Sequence, residues 1–362
     1  MISQGFPPDK FTFPFAIRAC RVAGALEKGK EVHGFAIKTG FINDTVLFNS
    51  LMCLYLECRD VDYGRRVFDK MRVRNVVSWT TLIAGLIACG DLDAASRAFR
   101  KMPDRNVVSW TALIDGYVRN QLPQEAFKLF RGMQLHNVRP NEFTLVSLLK
   151  ASTQLGSLKL GGWVHDYILK NGFEVGAFLG TALIDMYSKC GSLEDARQVF
   201  DKMEIKTLAT WNAMITSLGV HGYGMEAIDL FAEMVVARVR PDAVTFVGVL
   251  CACVRMNDVE QGYRYFKYMR KYYGIKPILE HYSCMIELYR RADLLDEVRE
   301  LVNSMRMQLN GDVAEEWIRK ISSDSVVDLD KLSEPHDQGL DYLGTPTSLL
   351  RDQLQCFKWD AG

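Results

Sequence analysis

Three stretches of the chain are near-copies of one another: NVVSWTTLIAGL from Asn75, NVVSWTALIDGY from Asn106 and TLATWNAMITSL from Thr207. The first two begin 31 residues apart, and other copies align with periods of 35 or 36. Self-similarity at such periods is the signature of stacked helical hairpins, in which no unit can bury its apolar side alone. Setting position 1 just after the Asn or Asp divides the chain into units 10–44, 45–75, 76–106, 107–141, 142–176, 177–207, 208–242, 243–278 and 279–309. Residues 1–9 read as the end of an earlier unit, so the lack of a leader-like N-terminal stretch excludes nothing.

Residues that did not set this register agree with it. Position 20 is Gly29, Gly64, Ala95, Ala126, Gly161, Ala196, Ala227 and Gly262, and departs from small only at Val298. Small side chains let two helices cross closely, so this position is expected at the crossing inside a hairpin. Position 24 is Phe68, Phe99, Phe130, Phe200, Phe231 and Phe266, and position 27 is Met71, Met102, Met133, Met203, Met234, Met269 and Met305. Three residues apart on a helix, they share one face. Each unit therefore reads as helix A, a short turn around Gly, Asn or Pro, and helix B. The fold class is all-α, an α-solenoid of stacked helix-turn-helix repeats with one long concave face.

Composition narrows the function. Hydrophobic residues make up 48% and charged residues 24%, with 44 Lys plus Arg against 44 Asp plus Glu, so no charge excess announces a polyanionic or membrane partner. None of the 9 cysteines stands in a CxxC, which favours buried thiols in a reducing compartment over a zinc site. No apolar run approaches the ~20 residues that span a bilayer. His33 and His165 fall at position 24, and Trp79, Trp110 and Trp211 at position 4, all on apolar stripes where packing is the expected role. The basic run 65–74, RRVFDKMRVR, reads as a solvated face of helix B.

The SWN/SWT openings, the small position 20, the FxxM of helix B and the closing xPD or xPN resemble the plant pentatricopeptide repeat family, over about residues 1–309. The alternation of 35- and 31-residue units is similar to its PLS subclass, with KFTFPFAIRAC, EFTLVSLLKAS and AVTFVGVLCAC as L-type units and LGTALIDMYSKCGSLEDA as an S-type unit. HYSCMIELYRRADLLDE resembles the S2-type unit that closes many such arrays. The resemblance implies one base of single-stranded RNA per unit, read 5′ to 3′ by position 5 and the last residue of the unit. Those pairs are Asn49/Asn75, Thr80/Asn106, Thr111/Asn141, Thr181/Thr207 and Asn212/Asp242, which the family's code assigns to C, A, A, a purine and U. The L-type pairs Pro14/Asp44, Val146/Gly176 and Val247/Ile278 have no side-chain hydrogen bonder at position 5 and discriminate poorly. Position 2 is expected to pack on base faces through Val46, Val77, Val108, Phe143, Phe178 and Val244. An alternative role for Asn or Thr at position 5 is helix capping.

Many PLS proteins continue into E domains and a DYW deaminase whose zinc site needs an HxE and a distant CxxC. Neither motif occurs here, and residues 310–362 read as a divergent, mobile tail. No catalytic, metal or cofactor site is expected. The leading reading is a non-enzymatic specificity factor for organellar RNA processing, with C-to-U editing by organellar editing factors or a DYW-type deaminase in trans as its most concrete form. The plastid is favoured and the mitochondrion is the alternative. Stabilisation or splicing by occupying a site, and a peptide-binding scaffold, are the competing readings.

Overall fold

The computed structural model describes residues 8, 9, 11–41 and 44–308; the tail at 310–362 lies outside the described residues, as does most of 1–9. The described residues form eighteen α-helices and no strand, an all-α helical-repeat solenoid. They fall into two compact units that meet within one helix, one ending at Thr210 and one beginning at Trp211.

In the first unit the A helices are α1 (Thr12–Val22), α3 (Thr45–Glu57), α5 (Val76–Ala88), α7 (Val107–Arg119), α9 (Glu142–Gln154) and α11 (Ala177–Lys189). Their B partners are α2 (Leu26–Lys38), α4 (Val61–Lys70), α6 (Leu92–Lys101), α8 (Pro123–Leu135), α10 (Leu158–Lys170) and α12 (Leu193–Lys202). Consecutive A helices pack side by side, and each of α2, α4, α6, α8 and α10 lies on its own A helix and the next. Helix α13 (Leu208–Val220) carries the chain into the second unit, which holds α14 (Gly224–Val236), α15 (Ala243–Met256), α16 (Val259–Lys271), α17 (Leu279–Arg291) and α18 (Leu295–Gln308). There α15 packs on α17, with α16 against both.

The two helix classes differ in sequence because they are buried differently. Helix α15 buries every residue from Thr245 to Val254, whereas α16 buries only Gly262, Phe266 and Met269. A helix covered on several sides must be apolar nearly all round; one covered on a single side needs only a stripe. That stripe is the predicted one, since Phe68, Phe99, Phe130, Phe200, Phe231 and Phe266 and all seven position-27 methionines are buried.

Two expectations are corrected. In the longer units, a Cβ on Gly29, Gly161 or Gly262 would collide with Leu54, Met186 or Leu288, which lie at position 10 of the following helix A. The small residue therefore marks the seam between neighbouring hairpins, because helix B lies on two A helices and its position 20 faces a large side chain of the second. Gly64, which meets Leu56 of its own hairpin, behaves as the sequence suggests. Second, positions 24 and 27 do not share a helical face in units 45–75, 76–106 and 177–207. In units 45–75, 76–106 and 177–207 helix B is 10 residues long instead of 13, and Met71, Met102 and Met203 follow its end in extended conformation. The period difference is thus about one turn of helix B.

These shortened ends are closed by a cation. Arg74 and Arg105 donate to the last carbonyls of helix B, at Phe68, Asp69, Phe99 and Arg100, and Lys206 donates to the carbonyl of Met203. Each also lies over the position-24 phenylalanine, 4.6, 5.3 and 5.0 Å from the ring centre. Unsatisfied carbonyls and the negative end of the helix dipole favour a cation there. Arg65 of the same basic run pairs with Asp91 at 2.6 Å. The tryptophans and histidines pack as expected. Trp79 and Trp110 meet Phe68 and Phe99 edge-on at 4.7 Å, and Trp211 is buried. His33 and His165 share hydrogen bonds with Tyr55 and Tyr187, at 2.9 and 2.8 Å.

The turn from helix A to helix B holds position 15 in the left-handed region throughout: Gly24, Gly90, Gly156, Gly191 and Gly222, but also Arg59, Gln121, Asn257 and Asp293. A side chain there costs about 1 kcal/mol or more, which glycine avoids. Arg59→Gly and Gln121→Gly are each expected to stabilise the chain by ~1 kcal/mol and Gly90→Ala to destabilise it by a similar amount, read from urea unfolding midpoints. If all three shift the midpoint in the same direction, the turn is not what sets the cost.

Candidate nucleic-acid interface

The closing residue of a unit is also the N-cap of the next helix A. Asn75, Asn106, Asn141 and Asp242 each accept the backbone N–H three residues on, at Ser78, Ser109, Thr144 and Thr245, over 2.9–3.1 Å. Asp44 accepts that of Val46 at 2.8 Å. Asn and Asp are strong N-caps because their oxygen satisfies a helix-end donor that has no partner within the helix. Capping therefore belongs to the closing residue, and position 5, one turn into helix A, has another role.

In each capped asparagine the amide oxygen is engaged, while Nδ2 of Asn75, Asn106 and Asn141 makes no hydrogen bond among the described residues. Asp242 differs in kind: Oδ1 accepts from Asn212 Nδ2 at 2.9 Å and from the Thr245 backbone, and Oδ2 has no partner among the described residues. One register thus presents a donor at three units and an acceptor at another.

Position 5 lies beside these caps. Thr111 Oγ1 is 2.6 Å from Thr144 Oγ1, and Thr181 Oγ1 bonds the carbonyl of Ala177 and lies 3.1 Å from Thr210 Oγ1, which also meets Thr207 Oγ1 at 3.1 Å. Asn212 is only 1% exposed, with both ends of its amide used, Nδ2 on Asp242 and Oδ1 on the Thr245 hydroxyl at 2.6 Å. Thr80 turns back to the carbonyls of Val76 and Val77, and Asn49 Oδ1 is buried without a partner. The structure thus joins position 5 to its closing residue or to position 3 of the next helix in three of the five predicted pairs. In the L-type units Val146 and Val247 are buried, Gly176 caps without a side chain and Ile278 has no polar side chain.

Position 2 faces outward. Val46 is 61% exposed and Phe143 63%, with Val77, Val108 and Phe178 also exposed. The rings of Phe143 and Phe178 lie 5.1 Å apart. Five apolar side chains exposed at one register position form a row rather than scattered surface residues.

Sequence reasoning passed over position 3. Ser78, Ser109, Thr144, Thr210, Thr245 and His281 are all fully buried. Their signal was available: a hydroxyl three residues after Asn or Asp is the second half of a capping box. In the last unit, His281 takes that place. Its Nδ1 accepts the N–H of Ile278 at 3.0 Å and its Nε2 donates to the carbonyl of Ala243 at 2.8 Å. Burial pushes its pKa down to about 4, only partly offset by the bond to Ala243.

Among the described residues no helix is long and apolar enough to cross a membrane, and no His, Cys, Asp or Glu group is placed to hold a metal ion.

The His281 shift has a sign. An unfolded histidine takes a proton near pH 6.5, the folded one near 4, so the unfolded state binds more protons between these values and stability falls as pH drops through that window. The unfolding free energy is expected to fall by up to ~3 kcal/mol between pH 7 and pH 4, and by clearly less in His281→Gln. Equal losses in both proteins would remove His281 from this account.

A profile of the PPR repeat matches residues 46–76, 77–107, 181–207, 244–273 and 280–308, and one of the PPR repeat family matches 105–153 and 206–255. The Arabidopsis thaliana pentatricopeptide repeat-containing protein At3g26630, chloroplastic, is 59% identical over 306 residues, covering 84% of this chain and 67% of that protein. The mitochondrial Arabidopsis thaliana protein At2g22410 of the same description is 44% identical over 313 residues, covering 86% of this chain and 46% of the relative. Among solved structures, the pentatricopeptide repeat protein PPR10 in complex with an 18-nt psaJ RNA element superposes with a TM-score of 0.54 at 18% identity, covering 85% of this chain and 51% of that one. The chain thus spans between about half and two thirds of the length of these proteins.

Proposed function

The chain belongs to the pentatricopeptide repeat family, and from that membership and the paired polar side chains we propose that it binds one stretch of single-stranded RNA in organellar RNA processing. The observation that carries this reading is the change of chemistry at a constant position, an amide donor left unpaired among the described residues at Asn75, Asn106 and Asn141 and a carboxylate oxygen left unpaired at Asp242.

Base chemistry converts that difference into a preference. At the middle of the Watson–Crick edge, A and C carry a bare ring nitrogen that accepts, while U and G carry an N–H that donates. A closing Asn therefore suits A or C, and a closing Asp suits U or G. Position 5 then separates large from small: the shorter Thr80 and Thr111 leave room for a purine, and the longer Asn49 and Asn212 favour a pyrimidine. This agrees with the assignments C, A, A and U that the family resemblance implies at units 45–75, 76–106, 107–141 and 208–242, and the exposed row at position 2 offers stacking surface to the bases. A peptide-binding groove has no need of this alternation.

The finer reading is a PLS-type address for C-to-U editing, with the chain supplying sequence recognition and a DYW-type deaminase acting in trans. The chloroplastic relative At3g26630 favours the plastid, and the mitochondrial At2g22410 is the reason to test both compartments. Sequencing RNA crosslinked to the protein in plant tissue checks compartment and base order together. RNAs that share no CAA element would speak against the reading.

The unit at 208–242 gives the sharpest test. Asn212→Thr keeps the acceptor of Asp242 and shortens its neighbour, so preference is expected to move from U toward G, with ~1–3 kcal/mol lost on the original RNA. Val247→Thr is expected to do far less. Filter binding on RNAs varied at one base checks it, and equal weakening for all four bases would make Asn212 a packing residue.

A further inference from the structure

Resting on the RNA-reading proposal, we infer that the buried threonine at position 3 of the following helix A determines specificity by positioning, joining the two readers of a unit into one rigid group. The geometry recurs in three units. Thr144 Oγ1 lies 2.6 Å from Thr111 Oγ1 and 2.9 Å from Asn141 Oδ1. Thr210 Oγ1 lies 3.1 Å from both Thr181 Oγ1 and Thr207 Oγ1. Thr245 Oγ1 lies 2.6 Å from Asn212 Oδ1 and 3.0 Å from Asp242 Oδ1.

The hydroxyl's single proton decides how the last of these works. The shorter contact takes it, so Thr245 donates to Asn212 Oδ1, and its lone pairs receive the backbone N–H of Asp242 at 3.0 Å. With its oxygen held, the Asn212 amide must turn Nδ2 toward Asp242 Oδ1, which it reaches at 2.9 Å. Asp242 Oδ1 is thereby occupied and Oδ2 is left as the acceptor for a base. The fully buried hydroxyl holds the buried amide at its oxygen and the carboxylate holds it at its nitrogen, and Oδ2 is the oxygen left without a partner among the described residues. Thr245 touches no base in this scheme; it determines what Asp242 presents. In the units closed by Asn75 and Asn106 the bridge is half made: Ser78 Oγ reaches Asn75 Oδ1 at 3.0 Å and Ser109 Oγ the carbonyl of Asn106 at 2.9 Å, without a bond to Asn49 or Thr80.

The test uses the full chain and a synthetic RNA pool carrying the predicted order, randomised at one base at a time. Bound RNAs are sequenced to give a discrimination ratio at each unit. Thr245→Val removes the hydroxyl at nearly constant shape and is expected to lower the ratio at the Asp242 base about tenfold, with the ratio at the Asn141 base unchanged. Thr144→Val is expected to do the converse, which keeps the measurement available if one valine variant does not fold. Thr245→Ser, which retains the hydroxyl, is expected to keep discrimination. A folded Thr245→Val with the wild-type ratio, or a loss in Thr245→Ser equal to that in Thr245→Val, overturns the inference. Asp242→Ala separates this from failure of the underlying reading: it should abolish preference at that base, and if it leaves the ratio untouched, base reading by the closing residue falls and the positioning role with it.

Discussion

Everything at the candidate interface depends on the first turn of helix A being capped by the residue that ends the preceding unit. A helix start leaves backbone donors without partners, and an Asn or Asp oxygen at the cap contributes roughly 0.5–2 kcal/mol by satisfying one. At Asn75, Asn106, Asn141 and Asp242 this uses one side-chain oxygen and leaves the other end of the side chain without a partner among the described residues. Recognition, on the proposed reading, is what remains of a side chain after the fold has used half of it. The residues suited to that dual task are those that cap well, so one unit can exchange Asn for Asp or Thr without losing its helix start.

Much of this was legible in the sequence, because the repeat supplies internal controls. Phenylalanine at position 24 and methionine at position 27 were readable as core since each recurs in phase, and their burial follows. The helix B–helix A seam at Gly29, Gly161 and Gly262 was misplaced because a small residue says that something comes close without saying which neighbour it is. Left-handed turns at Arg59 and Gln121 were hidden for a different reason: the backbone conformation is imposed by the hairpin, and the residue type there carries no trace of it. The buried hydroxyls at position 3 were invisible as a linked set because their partners lie about thirty residues away in sequence.

Charge helps explain how a chain with 44 basic and 44 acidic residues would favour one RNA over another. Arg74, Arg105 and Lys206 are spent on helix ends and aromatic rings, and Arg65 on Asp91. Fewer cations left for phosphate means a weaker sequence-independent attraction, since that attraction scales with the phosphates neutralised. The balance then shifts to base edges, where the paired side chains act.

The lost turn of helix B in the shorter units has a consequence for how such a chain changes over generations. Helix A is 13 residues long in both classes, at α5 and α7 for example, so the difference falls wholly on helix B, which starts at the same position and ends earlier in the shorter units. Insertions and deletions of about one turn can accumulate there while the spacing between a cap and its neighbouring position 5 along helix A stays fixed. On the proposed reading, length and address are then separately heritable: a gene can lengthen or trim helix B without changing the pair that faces a base.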